Sequence, residues 1–78
     1  PFYQLRVFAS DNRQAVDQFI HTHHLTSRSQ IEWTLDKGKT RFSVLIGHFT
    51  DYEHALKAEH HLPTSIQQQH PQILTRWS

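Results

Sequence analysis

Eight histidines in a chain of 78 residues are the first feature with chemical potential. Imidazole is a common zinc ligand, and two pairs fall at helical spacings, His21 with His24 and His54 with His61. Neither pair belongs to a His-Glu-x-x-His pattern, and nothing nearby implies a third ligand, so no metal site is expected. Nucleophilic chemistry has less support still. The chain has no cysteine, Ser43 has no evident activating His–Asp pair, and the carboxylates are scattered. With Gly38 and Gly47 as the only glycines, no loop can cradle a phosphate. The expectation is a non-enzymatic protein that uses no cofactor.

The remaining candidates are polar side chains at strand spacing. Gln4 and Arg6 alternate with Tyr3, Leu5 and Val7, while Ser43 and Leu45 alternate with Phe42, Val44 and Ile46. Period-two alternation puts each set on its own face of a sheet. Amide and guanidinium groups on a shallow face can share hydrogen bonds with a hydroxyl- or amide-bearing ligand. A merely solvated sheet face shows the same residues at the same spacings, and spacing alone leaves both readings open. Arg6 has two readings of its own, a ligand contact or an exposed pair with Glu32, the latter worth roughly 0–1 kcal/mol.

These residues need elements to hold them, and the chain reads β-α-β-β-α-β. A first helix follows Ser10-Asp11, either of which can cap it, with Ala15, Val16, Phe19, Ile20 and Leu25 as its apolar stripe. A second begins at Thr50-Asp51-Tyr52-Glu53, which matches a capping box. Its stripe is Tyr52, Ala55, Leu56 and Leu62, and Pro63 stops it. Strands surround both helices: Tyr3 to Val7, Ile31 to Leu35, Phe42 to Ile46, and a short one from about Ile73 to Trp77. The middle two are joined by the turn residues Asp36-Lys37-Gly38-Lys39. The two halves echo each other weakly, since Phe8 and Phe49 each precede an Asp and then a helical Ala. The order fits a ferredoxin-like α+β fold, a four-stranded antiparallel sheet with both helices on one face. Phe19, Trp33 and Phe42 are expected in the core, with Ile31, Val44 and Ile46 beneath the helices. Gln4, Arg6, Ser43 and Leu45 are expected exposed on the other face. Trp77 either seals the core or stands at the sheet's rim.

Composition narrows the partners. Eight Lys and Arg stand against seven Asp and Glu, interspersed, for a net charge of +1. An RNA-recognition module shares this element order, and Lys37, Lys39 and Arg41 precede Phe42. Its base-stacking aromatics are missing, however, because Ser43 and Leu45 hold the exposed central positions, and no nucleic-acid partner is expected. The longest apolar run, Val44-Leu45-Ile46, is far short of the ~20 residues of a membrane helix. A chain that opens on Pro1 reads as one domain, residues 1–78, cut from a longer protein.

Along nearly its whole length the chain resembles a SPOR domain. Tyr3-Gln4-Leu5-Arg6-Val7-Phe8 fills the family's opening aromatic-x-x-Gln-type strand. Phe42-Ser43-Val44-Leu45-Ile46-Gly47-His48-Phe49 fills its aromatic-x-Val-x-Val-Gly-x-Phe strand. The connection from Leu62-Pro63 to His70-Pro71 resembles the DamX-type branch, which has Trp where this chain has Gln72. Arg6-Val7 stands where the family often has Gly-Ser. The resemblance implies a sheet ordered 4-1-3-2 and a non-catalytic module that binds peptidoglycan glycan strands lacking stem peptides. It implies glycan contacts at Gln4, Arg6, Ser43, Leu45 and Gln72. It further implies a monomeric domain, on the periplasmic face of the bacterial envelope, that takes a membrane-anchored parent to the division septum. An adaptor that keeps this fold without binding glycan is the alternative, because fold alone does not carry activity.

Overall fold

The computed structural model describes residues 1–77. Strand β1 (Phe2–Ser10) leads to helix α1 (Arg13–Thr22), then to the hairpin β2 (Ser29–Asp36) and β3 (Lys39–Phe49). Helix α2 (Tyr52–His60), a one-turn helix α3 (Thr64–Gln67) and strand β4 (Gln72–Arg76) complete the chain. The sheet is antiparallel throughout and ordered β2-β3-β1-β4, the arrangement implied by the resemblance. The helices pack against the central strands from one side.

Helix starts follow local chemistry, one residue away from the expected caps. α1 is capped by Asn12, whose side chain accepts from the backbone N–H groups of Gln14 and Ala15. Ser10 instead accepts from the Asn12 N–H, and Asp11 caps nothing. In α2 the cap is Asp51, which accepts from His54 N at 2.9 Å, in place of Thr50. The core is a layer of Leu5, Val7, Val44 and Ile46 from the sheet beneath Val16, Phe19 and Ala55 from the helices. Each fully buried aliphatic side chain of this kind contributes roughly 1.5–3 kcal/mol. Leu25, beyond the end of α1, and Ile66, in α3, close this layer from outside the two main helices. Phe8 stacks on Phe19 at 4.4 Å, as a packing residue should.

Trp33 corrects the sequence reading: it is 62% exposed. Its register partner is Phe42, so it does point to the helix side, as its alternation requires. But β2 is an edge strand, and toward the hairpin tip it runs past the cover of the helices, leaving Leu35 exposed as well. Ile31, nearer the centre, is half-buried against the core, and Phe42 is half-buried with the Arg13 guanidinium 5.7 Å from its ring centre. Trp77 lies beyond β4 and is exposed.

Two irregularities shape β1 and β3. Between the pairs Arg6–Leu45 and Phe8–Val44, β1 carries one extra residue, which lets Val7 and Phe8 both serve the core. Between Tyr3–Phe49 and Leu5–Ile46, β3 carries the extra residue, and Gln4 faces Gly47 and His48 together. Gly47 takes φ +83° there, a left-handed value that disfavours any side chain. The Phe49 ring also fills the space of the missing Cβ, coming to 2.2 Å of where one would stand.

Candidate functional site

The face without helices gathers all five sequence-predicted residues. Arg6 stands between its cross-strand neighbours Leu45 and Gln72, Gln4 sits beside Leu74, and Ser43 lies opposite Glu32. Accessibility divides them. Arg6 and Ser43 are half-buried and Gln72 is exposed, but Gln4 is 5% exposed and Leu45 only 2%. The face is therefore right for these two and the expected exposure is not.

The physical reason is a set of long side chains that close over the central strands. Gln4 Nε2 donates to the Gly47 carbonyl at 3.1 Å and to Gln30 Oε1 at 3.0 Å, so its amide is consumed by the fold. A buried amide needs such partners, and none of the described buried side-chain polar atoms lacks one. Arg76 then reaches from edge strand β4 to Glu32 on the opposite edge strand β2, donating from both terminal nitrogens, one at 3.0 Å. Sheet twist makes such a crossing possible. Glu32 is thus taken by Arg76, while Arg6 donates to the neutral amide oxygen of Gln72. The Arg76 hydrogen bond holds the Glu32 carboxyl below its ordinary value against the opposing effect of burial, and the charges of Arg76 and Arg6 add to the lowering.

Beside this crossing lies a recess of about 660 Å³ bounded by Phe2, Gln4, Gln30, Glu32, Leu45, His48 and Arg76. Phe2 and His48 stack at 4.2 Å with their planes 11° apart, giving the recess a flat aromatic wall. Phe2, Gln30 and Arg76 were absent from the sequence-derived site although strand parity could have found them. Phe2 shares the parity of Gln4, Gln30 that of Glu32, and Arg76 that of Gln72. His48 carried no such signal, because it reaches this face only through the bulge at Gly47.

The histidines of the two pairs have other placements. His24 lies past the end of α1 at φ 56°, His54 pairs with Asp51 at 2.9 Å, and His61 Nδ1 sits 2.7 Å from the Lys57 carbonyl oxygen. Among the described residues no three of His, Cys, Asp and Glu converge. No helix among them is long and apolar enough to cross a membrane.

A search of curated proteins returns no match. The SPOR domain family matches residues 1–75, which takes in β1, β2 and β3 whole and β4 as far as Thr75, one residue short of Arg76. The chain therefore belongs to the SPOR domain family, whose members are peptidoglycan-binding, non-catalytic modules of bacterial envelope and division proteins.

Proposed function

We propose that the helix-free face binds peptidoglycan glycan strands lacking stem peptides, and so targets the parent protein to the division septum on the periplasmic side of the envelope. The observation that carries the reading is the recess on that face. A flat stacked ring pair, Phe2 with His48, stands beside the amide of Gln30. That combination suits a sugar chain, offering an apolar plane for a pyranose face and polar groups for its hydroxyl and N-acetyl substituents. Arg6 and Gln72 extend the surface along the central strands, and Ser43 adds a hydroxyl. Gln4 and Leu45 form its floor and serve mainly to hold its shape. Removal of a stem peptide from the sugar's lactyl group leaves a carboxylate, and Arg6, engaged only with a neutral amide, is free to receive it. The parent is proposed to be membrane-anchored.

The test is co-sedimentation of the 78-residue domain with sacculi, amidase-treated beside untreated. Preferential binding to treated sacculi is expected. An Arg6→Ala, Gln72→Ala double variant should bind about tenfold or more weakly, from the loss of contacts worth roughly 0.5–1.5 kcal/mol each or more. A folded domain that ignores both kinds of sacculi would replace this reading with the adaptor. One observation favours that second reading, namely that Gln4 and Leu45 are closed off by the chain's own side chains.

A further inference from the structure

The edge strand β2 has a row of side chains with nothing over them. Trp33 and Leu35 are two of the largest exposed apolar groups of the described chain, and they sit on the same side of the strand as half-buried Ile31. The main chain of this edge is equally unpartnered among the described residues, where β2 pairs with β3 alone. Lys37 and Gly38 form a two-residue turn with φ 53° and 81°, the geometry of the tight turns that favour hairpins. Such a turn closes on a hydrogen-bonded pair, here Asp36 with Lys39. Alternation down the ladder then turns the N–H and C=O groups of Leu35, Trp33 and Ile31 outward. The same three residues thus offer both apolar side chains and free hydrogen-bonding groups, a template for another strand.

We propose that this edge pairs with β2 of a second copy, antiparallel and centred on Trp33, to make a continuous eight-stranded sheet. Self-complementarity singles out this occupant and this register. With Trp33 opposite its own counterpart, Ile31 faces the second copy's Leu35, apolar against apolar, and each of these pairings exchanges the outward N–H and C=O groups. On the other face Glu32 meets Thr34 and Gln30 meets Asp36, so no like charges oppose. Shifting the centre by one residue brings Glu32 against Glu32, or Glu32 against Asp36, and like charges directly opposite are destabilising. The joined stripe is continuous with the core through Ile31. The family resemblance implied a monomer, and nothing in the sequence shows that the Trp33 row lies uncovered. The pairing is argued from the main chain and helix-side row of β2 and not from the glycan reading, although Ile31 and Trp33 also border the recess and the pairing would set two helix-free faces side by side.

The test is sedimentation equilibrium of the 78-residue chain across a concentration series. The expected result is a rise from 9.3 kDa toward twice that mass. Trp33→Lys and Leu35→Lys place charge on the seam, and each should weaken association at least about tenfold. Trp77→Lys, at a still more exposed position off this edge, should leave it unchanged. Because the chain has no cysteine, register can be read from disulfides. Glu32→Cys mixed with Thr34→Cys should cross-link, as these face each other as a close non-hydrogen-bonded pair, while neither variant alone should. A chain that stays at 9.3 kDa up to roughly millimolar concentration, where even a millimolar dissociation constant would register, overturns the proposal and leaves the edge to a strand of another protein. Dimers that survive both lysine variants, or cross-linking of each cysteine variant with itself, overturn it equally.

Discussion

Replacing Gln4 with alanine should destabilise the domain substantially, although the residue lies on the helix-free face. The side chain is 5% exposed, and its amide supplies a hydrogen bond to the Gly47 carbonyl at the bulge. Truncation removes that bond, and because Gly47 is exposed and water can reach it, the loss is the net value of about 0.5–1.5 kcal/mol. It also removes one buried methylene, worth about 0.8 kcal/mol. Gln30, being exposed, can turn to water and adds little. The sum is about 1.3–2.3 kcal/mol, against a total of roughly 4–12 kcal/mol for a chain of this length at typical per-residue stability. In a domain of this size each kcal/mol moves Tm by about 4–8 °C, so a fall on the order of 5–18 °C is expected by circular dichroism. Gln4→Glu should do no better, since a carboxylate cannot donate to the Gly47 oxygen. A Gln4→Ala domain melting within about 3 °C of wild type, inside the smallest fall expected, would refute the reasoning and return the amide to the role of a free ligand contact.

The other expectations concern Trp33, Gly47 and Glu32. At concentrations low enough to keep the chain monomeric, Trp33→Ala should change urea-unfolding stability by less than about 1 kcal/mol, because the ring is mostly in water; a loss of 3 kcal/mol or more there, the scale of a buried Trp, would place it in the core. Gly47→Ala should cost at least about 2 kcal/mol, combining left-handed backbone with displacement of the Phe49 ring, and this is measurable in the same denaturation series. Since Arg76 holds the Glu32 carboxyl below its ordinary value of 4.5, the pair's stabilisation is complete above about pH 4.5 and fades as pH falls through the lower folded-state value. Melting curves between pH 6 and 3 should accordingly show a smaller acid-side loss for Glu32→Gln than for wild type.

The sheet was legible because its alternations are local. Tyr3 to Val7 and Phe42 to Ile46 each declare two faces, and the structure assigns those faces as expected. Cover was not legible, because it depends on what lies opposite. Trp33 obeys the same alternation as Ile31, yet only its position near the tip of an edge strand leaves it in water. Gln4 looked like a free polar group because its partner, the Gly47 carbonyl, is 43 residues away and faces it only through a bulge. Glu32 could be matched to some arginine from charge alone, but the choice of Arg76 over Arg6 depends on the twist of all four strands. α3 escaped notice for a simpler reason: one turn of helix has too few residues to show a period, and Ile66 is its only buried side chain.

The pairing of β1 with β4 joins the first strand to the last, Phe2 to Arg76. This sets an order of events for the nascent chain. The β2–β3 hairpin closes through a two-residue turn and can form within microseconds of leaving the ribosome. β1 can find β3 next, once Phe49 is available, and the core layer of Leu5, Val7, Val44 and Ile46 then comes together. But one side of β1 has no partner until residues 72–76 arrive, and Arg76, the anchor for Glu32, comes only at the end of β4. Until then β1 keeps an unpaired edge, the kind of exposed main chain on which misassembly begins. A stalled or clipped chain ending before Gln72 would be a three-stranded intermediate with that edge still open, a natural target for holding chaperones and proteases.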